Sequence, residues 1–353
     1  MGIIGYGGVG RLHCEAYAKS VLTEIVAIAE PDPERRALAA AALPVPVYAD
    51  AEEMLRQTRL DIACVLAPAA LHLALVRLCA RAGVHVLCEK PLATTVEDAA
   101  EISRVCAAAG VALFYGSSYR FLAPVREARA RIAAGAIGDV TMIREQEIGG
   151  AGIEARVTLP PAHYPAGTPG GSPMGLVDHG IHLLDVLPWL LQSPIASVFG
   201  RGNLSGAALR PEYAVLTFAN GCTASLLYDE ATFHTDLPAE GAFSWGSSWD
   251  ASGYRPGGGW VPHPGAIHLH GTRGALRVFH YANTLIQFDA DGPRQIALSG
   301  PAAPYHFAAQ IDAFAQDLND GAPARVSAGD AMRALQVLAA IYRSARERRV
   351  IDL

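Results

Sequence analysis

The chain begins with a glycine-rich turn between an apolar run and a helical stretch. Gly5, Gly7 and Gly10 form the pattern G-x-G-x-x-G after residues 1–4 and before residues 11–20. One glycine makes a tight turn, one lets the backbone approach a pyrophosphate, and one lets helix and strand pack, while the helix N terminus offers N–H groups to the anion. The pattern predicts a nucleotide site made by six consecutive residues, Gly5, Tyr6, Gly7, Gly8, Val9 and Gly10.

A second strand-like run, residues 23–29, ends at Glu30. About twenty residues after the glycines, a carboxylate accepts hydrogen bonds from an adenosine ribose in dinucleotide folds. This order of a strand, a glycine turn, a helix, a second strand and an acidic residue is typical of a dinucleotide-binding fold. It favours that fold over a surface turn with a solvated glutamate. Because Glu30 would repel a 2′-phosphate and Pro31 carries no charge, NAD is the predicted cofactor rather than NADP, although Arg35 and Arg36 follow closely.

Length and charge narrow the class of protein. The 353 residues, 51% of them hydrophobic, suffice for two domains with sizeable cores. A net charge of −6 without a Lys/Arg-rich run argues against nucleic acid or an anionic membrane as partner and favours small molecules. No apolar run reaches transmembrane length and no signal peptide is apparent, so we expect a cytoplasmic protein. The six cysteines lack C-x-x-C spacing and are predicted to be buried free thiols.

The periodicity of the chain changes near residue 118. Before it, strand-like runs alternate with helical patterns, including residues 33–42 and 96–109, which indicates a parallel sheet. After it, one helix is followed mostly by β-branched and aromatic runs, and two helices, at residues 306–318 and 328–346, end the chain.

Asn220 and Gly221 lie between two strand-like runs, a spacing that predicts a hairpin with a two-residue loop. Antiparallel pairing in the later part of the chain follows. We therefore predict an α/β protein with a dinucleotide-binding domain at residues 1–118. An α+β domain for substrate binding and oligomerisation is predicted at residues 119–353.

Glu89, Lys90 and Pro91 follow the predicted strand at residues 84–87, with Cys88 between. In open α/β sheets ligands bind at the carboxyl ends of the strands, so Lys90 is expected to face the cofactor. An ammonium group there can hydrogen-bond a substrate oxygen and stabilise the negative charge that develops on it. The competing interpretation is an ordinary loop lysine that caps strand-end carbonyls.

Titratable side chains interrupt an otherwise apolar helix at residues 178–185. At about 100° per residue, Asp178, His182 and Asp185 fall on one face. A carboxylate one turn from an imidazole can fix its tautomer, which suits a general base that takes a hydroxyl proton. We predict His182 as this base and His179 as a structural residue. A hydrogen-bonded core histidine is the alternative for His182.

A metal site is the competing use of these groups, because His and Asp one turn apart can chelate zinc. His263, His268 and His270 supply further imidazoles. His268 and His270 alternate along a predicted strand, so both are expected to face one side. No cysteine or second His–carboxylate pair accompanies them at ligand spacing, and we predict no metal.

The chain resembles the glucose-fructose oxidoreductase/inositol dehydrogenase/rhizopine catabolism (Gfo/Idh/MocA) family. Three motifs in order carry the resemblance: Gly5-x-Gly7-x-x-Gly10, Glu89-Lys90-Pro91 and Asp178-x-Gly180-x-His182-x-x-Asp185. It implies an N-terminal Rossmann domain and a C-terminal α+β domain with a large, mostly antiparallel sheet. It also implies homodimers or homotetramers through that sheet, and hydride transfer between NAD(P) and a sugar or polyol.

The resemblance also implies roles for single residues. Lys90 and Asp178 would orient the substrate, and His182 would be the acid/base. Glu89 and His72 would lie near the nicotinamide, with Lys90 also beside the cofactor.

The chain departs from the family at two places. Where the family commonly has Thr-Pro-Asn, this chain has Ala67, Pro68 and Ala69, so one polar cofactor contact is absent from the stretch. Ala67 and Pro68 remain expected cofactor contacts. The usual three glycines before the catalytic helix are replaced at residues 172–174, a change on the substrate side that makes transfer of a relative's substrate unsafe.

Residues 237–265 form a Gly/Pro-rich stretch with three of the four tryptophans. A long irregular loop usually has a function. Its aromatic rings suit either stacking on a sugar or a contact between subunits. We predict substrate contacts at Trp249 and, at the start of the second domain, at Tyr119 and Arg120.

Three functions fit these observations. The first is an NAD-dependent dehydrogenase of a secondary alcohol in a sugar, sugar derivative or cyclic polyol. The second is an enzyme that retains NAD and oxidises its substrate transiently to permit elimination or glycoside cleavage. The third is an NAD-sensing regulatory protein. The joint presence of Lys90, Asp178 and His182 favours catalysis over sensing.

Overall fold

The computed structural model describes residues 1–148, 175–202, 212–229, 266–280 and 282–353. The chain divides into two compact units. The first contains residues 1–118 and 307–335, and the second contains most of the remaining chain. Trp249, His263 and residues 172–174 lie outside the described residues, so the expectations for them stay predictions.

A six-stranded sheet forms the centre of the first unit. Its strands are β1 Gly2–Ile4, β2 Ala27–Ala29, β3 Val47–Tyr48, β4 Ile62–Val65, β5 His85–Glu89 and β6 Leu113–Gly116. All pairs are parallel and the order is β3-β2-β1-β4-β5-β6. This is the Rossmann order, which places ligands at the carboxyl ends of the strands, and it confirms the predicted parallel sheet.

Helices connect these strands as the alternating pattern predicted. They are α1 Gly8–Tyr17, α2 Pro33–Ala42, α3 Ala51–Gln57, α4 Ala69–Arg81 and α5 Val96–Ala109. The predictions at residues 33–42 and 96–109 are confirmed at both ends. Asp32 and Thr95 start these two helices, because their side chains accept hydrogen bonds from backbone N–H groups three residues later. The short α3 and β3 were not predicted.

A nine-stranded sheet forms the centre of the second unit. Its strands are β7 Val140–Ile148, β8 Ile195–Gly202, β9 Glu212–Phe218, β10 Thr223–Asp229, β11 Ala266–Gly271, β12 Ala275–Phe279, β13 Thr284–Asp289, β14 Gly292–Gln295 and β15 Ile351–Asp352. The order is β14-β13-β12-β11-β7-β10-β9-β8-β15. Only the β7–β10 pair among these described strands is parallel. The predicted large, mostly antiparallel sheet is confirmed.

The remaining helices are α6 Ala123–Ala133, α7 Ile181–Leu191, α8 His306–Asn319 and α9 Ala328–Glu347. The two final helices lie within one residue of their predicted ends. In the second unit α6 packs on α7, β12 and β13. Among the described residues, no helix has the length and apolarity required to cross a membrane.

The β9–β10 hairpin is confirmed, but its predicted two-residue loop is wrong. The N–H of Phe218 donates to the carbonyl of Cys222 at 2.9 Å, so three residues form the loop. Gly221 adopts φ 88°, the left-handed conformation typical of the end of a three-residue hairpin loop. Gly221 thus lies in the loop as predicted, but Phe218 rather than Ala219 pairs with Cys222 to close it.

All six cysteines are unpaired and buried, as predicted. Burial raises the pKa of Cys64 to about 12, and burial followed by the neighbouring Cys64 does the same for Cys14. Since the thiolate is the reactive form, these thiols are inert packing groups near neutral pH.

Candidate active site

The glycine-rich turn leaves open space at the N terminus of α1. A Cβ atom added at Gly10 would collide with the carbonyl oxygen of Gly5, so helix and turn pack too closely for any other residue. A Cβ at Gly7 or Gly8 would instead meet no described atom within 4 Å. Gly7 caps α1, so backbone N–H groups face this space. The shape and the dipole fit a pyrophosphate.

We expect Gly8→Ala and Gly10→Ala to act differently. Gly8→Ala should keep the free energy of unfolding, because alanine suits a helix and the space is open, but weaken NAD binding at least about tenfold by filling the phosphate space. Gly10→Ala should destabilise the fold by about 1–3 kcal/mol through overpacking. Thermal unfolding and NAD titration check both. Unchanged NAD affinity in Gly8→Ala would place the cofactor elsewhere.

Glu30 ties the glycine-rich turn to the loop after β2. It is 3% exposed, and its carboxylate accepts hydrogen bonds from the backbone N–H groups of Tyr6 at 2.6 Å and Asp32 at 2.9 Å. Each oxygen keeps a further lone pair for a ribose hydroxyl. Nη1 of Arg36 donates to the carbonyls of Glu30 and Pro31, at 3.0 and 2.5 Å. The structure therefore engages the arginine with the backbone beside the acid.

His72 links the loops that follow β4 and β5. Its Nε2 lies 2.7 Å from the carbonyl oxygen of Ala67, and its Nδ1 lies 3.1 Å from that of Leu92. Burial lowers the pKa of His72, although the carbonyls and Glu89 act in the opposite direction. Pro68 is the N-cap residue of α4, directly beside Ala67. His72 thus supports the loop expected to contact the cofactor rather than presenting a free ring nitrogen there.

Glu89 is buried with His13, a residue that the sequence analysis did not select. Its Oε1 lies 3.1 Å from Nε2 of His13, and its Oε2 accepts from the backbone N–H of Lys90 at 3.0 Å. The His13 contact has ion-pair distance but not hydrogen-bond alignment, so we treat it as a charge contact. Burial alone would raise the pKa of Glu89, but His13 and Lys90 lower it below its ordinary value. Glu89 therefore supports the turn that carries Lys90.

His13 is held in turn by aromatic neighbours. Its Nδ1 lies 2.7 Å from the hydroxyl of Tyr17, and its ring centroid lies 3.9 Å from that of Phe307. We expect His13→Phe to keep this packing and to destabilise the protein by about 3 kcal/mol, because the carboxylate stays buried with one partner fewer. Adding Glu89→Gln should recover part of the loss in urea unfolding. A double variant that is no more stable than His13→Phe would mean that the Glu89 charge is compensated elsewhere.

A π-turn carries Asp178 into α7. The N–H of Gly180 donates to the carbonyl of Gly175, a five-residue step that defines the π-turn Leu176–Gly180. The predicted regular helix over residues 178–185 is therefore wrong in its first turn. The wider turn changes the angle per residue at Asp178, so its shared face with His182 and Asp185 stays a prediction. Asp178 is half-buried, and His182 is 8% exposed.

Asp185 forms a buried ion pair with Arg120. Nε and Nη2 of Arg120 donate to the two carboxylate oxygens at 2.8 and 2.5 Å, and both side chains are buried. The guanidinium also lies 5.6 Å from the ring centre of Trp189. This bidentate pair engages both oxygens of Asp185 with Arg120. Arg120 is thereby held against α7 within the second unit, and its substrate contact stays a prediction. The tautomer-fixing role expected for a carboxylate beside His182 also stays a prediction.

Tyr119 lies flat on His182. The two rings are 4.0 Å apart between centroids and inclined by 4°, and Tyr119 is 1% exposed. The predicted neighbourhood of Tyr119 and His182 is thus present within the second unit. The contact is between ring faces, which suits the orientation of the imidazole more than direct contact of the tyrosine with a substrate.

Glu212 holds the start of the π-turn. Its Oε2 accepts from the N–H of Leu176 at 2.6 Å. The residue is half-buried on β9, but its carboxyl group is enclosed, and burial raises its pKa to about 7 against the effect of Leu176 and Tyr342. A carboxyl group thus titrates near neutral pH at the element that carries Asp178.

The raised pKa of Glu212 predicts a pH-dependent stability. Between about 4.5 and 7 the folded state binds more protons at this group, so its stabilising contribution is complete below pH 4.5 and is lost as pH rises through 7. Relative to Glu212→Gln, the wild type should lose up to about 3 kcal/mol between pH 4.5 and 8. Urea unfolding at both pH values measures this. Glu15→Gln, at an exposed position of α1, is the control, and equal pH dependence in all three proteins would contradict the assignment.

His268 and His270 face one side of β11, as predicted. Their ring centroids are 6.3 Å apart, and Arg144 and Arg277 lie opposite His268 on the neighbouring strands. Burial, then the two arginines, lower the pKa of His268 to about 3. Positive neighbours disfavour a cation at this pair.

Sequence reasoning missed His13, Glu145 and Glu212. His13 carried a usable signal, because it lies one helical turn before Tyr17 on the inward face of α1. Glu145 is a charged residue at a position that alternation assigns to the buried face of β7. Nothing local marks Glu212, whose partner at Leu176 is 36 residues distant.

Two family models match nearly the whole chain. "Oxidoreductase family, NAD-binding Rossmann fold" matches residues 1–117, and "Oxidoreductase family, C-terminal alpha/beta domain" matches residues 129–353. The chain therefore belongs to the Gfo/Idh/MocA oxidoreductase family, as its motifs indicated. The open space at Gly7 and Gly8, the N terminus of α1 and the carboxylate of Glu30 fit the NAD that this family binds.

Curated relatives are similar over part of their length. They include the rhizopine catabolism protein MocA of Rhizobium meliloti (30% identity over 54% of this chain and 56% of the relative) and inositol 2-dehydrogenase 3 of Saccharopolyspora erythraea (30%, 56% and 55%). D-apiose dehydrogenase of Paraburkholderia graminis is 35% identical over 38% of this chain and 36% of the relative. The chain thus matches about half or less of the length of these proteins.

Solved structures share the fold over the whole chain. Aldose-aldose oxidoreductase of Caulobacter crescentus superposes with a TM-score of 0.80 at 22% identity, covering 100% of this chain and 98% of that one. Scyllo-inositol dehydrogenase of Lactobacillus casei gives 0.74 at 21%, with coverage of 99% and 97%. At this identity the likeness establishes the architecture.

Proposed function

We propose that the protein is an NAD-dependent dehydrogenase that acts on a secondary alcohol of a sugar, sugar derivative or cyclic polyol. The observation that carries the proposal is His182, a buried imidazole fixed by a stacked ring, in a chain that also has a complete dinucleotide turn. Relatives named as D-apiose dehydrogenase, inositol 2-dehydrogenase and D-glucoside 3-dehydrogenase support a polyhydroxylated substrate.

The proposed reaction divides the work among three side chains. NAD⁺, when bound, supplies the hydride acceptor. As the C–H bond of the alcohol breaks with its electron pair, the hydroxyl proton passes to His182 and a C=O bond forms. We assign the proton to Nε2, because Nδ1 of His182 is buried. The ammonium of Lys90 donates a hydrogen bond to the same substrate oxygen and stabilises its negative charge, and Asp178 orients a neighbouring hydroxyl.

Glu89 has a supporting part in this proposal. It accepts the backbone N–H of Lys90, and its other oxygen faces His13. The turn after β5 is thereby fixed at its first residue. A fixed backbone limits the positions that the Lys90 ammonium reaches, which favours one substrate orientation.

We expect Lys90→Met and His182→Asn to lower kcat/KM by at least about 100-fold each while NAD affinity stays within about threefold. The measurement is the near-ultraviolet absorbance of reduced nucleotide, with NAD and a panel of inositols, aldoses, amino sugars and glycosides. Lys19→Met, an exposed lysine after α1, is the matched control for charge loss. Full activity in either active-site variant would contradict the roles.

The outcome also separates the alternatives. A rise in absorbance with one substrate class supports the dehydrogenase. A wild type that converts a glycoside or eliminates a group without releasing reduced nucleotide would instead support transient oxidation. NAD binding without turnover of any compound would favour a sensor.

A further inference from the structure

The 3-10 turn Ser118–Phe121 presents an aromatic face to His182. Tyr119 and His182 stack almost parallel at 4.0 Å between centroids. A ring packed flat on an imidazole at this distance blocks rotation about the Cβ–Cγ bond of the histidine. The directions of its two ring nitrogens are then fixed relative to α7.

Tyr119 is itself held by a buried chain of polar groups. Its hydroxyl lies 3.2 Å from Nδ1 of His179, and Nε2 of His179 lies 2.7 Å from Oε1 of Glu145. Oε2 of Glu145 accepts from the hydroxyl of Tyr228 at 2.7 Å. A carboxylate accepts from both sides, so a neutral His179 donates from Nε2 and accepts the Tyr119 hydroxyl at Nδ1. Each group has one defined direction of donation.

We propose that Tyr119 is a positioning residue for His182, and that His179, Glu145 and Tyr228 hold Tyr119 in the stacked orientation. The proposal rests on the proposed function only in that His182 is taken as the acid/base. It assigns Tyr119 a role through another side chain, in place of the direct substrate contact expected from the sequence. It also gives His179 a definite task.

His280 completes the packing around Tyr119. Its ring centroid lies 5.0 Å from that of Tyr119 and 5.8 Å from that of His179. Burial holds the pKa of His280 well below its usual range, and a proton on His179 would lower it further. His280 is therefore a neutral ring near neutral pH, and it packs on Tyr119 without adding a positive charge beside His182.

Metal binding is the competing interpretation of this network. Ligand atoms of Glu145, His179 and His280 lie within 4.8 Å of one another. Two ligands on one tetrahedral zinc ion, each about 2.0–2.1 Å from the metal, are about 3.3 Å apart. The Glu145–His179 separation of 2.7 Å is too short for that and matches a charge-assisted hydrogen bond. The arrangement favours the hydrogen-bonded chain.

The first test compares Tyr119→Phe with Tyr119→Leu. Phenylalanine keeps the stacked ring and loses only the hydroxyl, so we expect kcat within about tenfold of the wild type. Leucine removes the stacking face, and we expect kcat to fall about 100-fold with substrate KM and NAD affinity little changed, because a misplaced base affects the chemical step. Equal losses in the two variants, or a loss confined to KM, would overturn the proposal.

A second pair of variants tests the far end of the chain. Tyr228→Phe removes one hydrogen bond to Glu145 and should lower kcat about two- to fivefold. Tyr213→Phe is the matched control, because Tyr213 pairs with Leu227 and so lies on the opposite face of the same sheet. It should leave kcat unchanged. An effect of Tyr213→Phe as large as that of Tyr228→Phe would contradict the assigned chain.

A spectroscopic readout makes the test independent of turnover. In the protein with isotope-labelled histidine, the ring current of Tyr119 shifts the ring-proton signals of His182, which are assigned by their absence in His182→Asn. We expect the displacement in the wild type and Tyr119→Phe and its loss in Tyr119→Leu. If Tyr119→Leu does not fold, the signals of Tyr119→Phe and Tyr228→Phe still decide. An undisplaced His182 signal in the folded wild type would overturn the proposal whatever the activity.

This readout also separates the two possible failures. If His182 is not the acid/base, the His182→Asn variant stays active, although the wild type shows the ring-current displacement of the His182 signals. If Tyr119 does not position His182, the His182→Asn variant is inactive, but the wild type shows no displacement of the His182 signals. Adding one equivalent of Zn²⁺ should leave the signals unchanged. Stoichiometric zinc binding that disappears in His280→Ala would overturn the hydrogen-bonded chain.

Discussion

A buried carboxyl group needs hydrogen-bond partners whether it is ionised or protonated, and such partners fix several of the elements that carry candidate functional residues. Glu30 binds the backbone of the glycine-rich turn, and Glu89 binds the backbone at Lys90. Glu212 binds the start of the π-turn. Asp185 pairs with Arg120, and Glu145 accepts from His179, which lies beside Tyr119. Desolvation costs several kcal/mol per ion, so each acid strongly penalises any arrangement that breaks its contacts.

These contacts give geometry more than stability. Replacing a buried ion pair by apolar groups of similar volume is often neutral or stabilising, whereas removing one partner is costly. A core of leucines would therefore hold the second unit together at least as well as the Arg120–Asp185 pair. It would not fix a direction, because apolar packing tolerates rotation and sliding that a bidentate pair does not. The proposed reaction needs direction, since the hydride leaves the carbon and the proton leaves the hydroxyl oxygen attached to it, each toward a differently placed acceptor.

Local signals made much of the fold predictable. Asp32 and Thr95 cap their helices within three residues, so the sequence contains the whole determinant of where α2 and α5 begin. The parallel sheet follows from strand and helix periodicity in the same way. The pairs around the candidate site connect residues far apart, 65 positions in Arg120–Asp185 and 83 in Tyr228–Glu145. The charge and spacing of such residues indicate that they are candidates for the site. The residue with which each one pairs depends on the tertiary fold.

The partner of Asp185 shows this dependence on α7. His182 and Asp185 are three residues apart, so they do share one face, as the periodicity indicates. That face receives the 3-10 turn, in which Tyr119 and Arg120 are consecutive. Tyr119 stacks on the histidine and Arg120 pairs with the aspartate, so two adjacent residues hold two positions of one helix.

The imidazole and the carboxylate therefore both contact the same turn. The Arg120–Asp185 pair holds the 3-10 turn Ser118–Phe121 against α7. Because Tyr119 belongs to this turn, the position of its ring depends on the same pair. A change at Asp185 would thus reach His182 through the backbone between residues 120 and 119. Such a route runs through a neighbouring element and not along the helix that carries both residues.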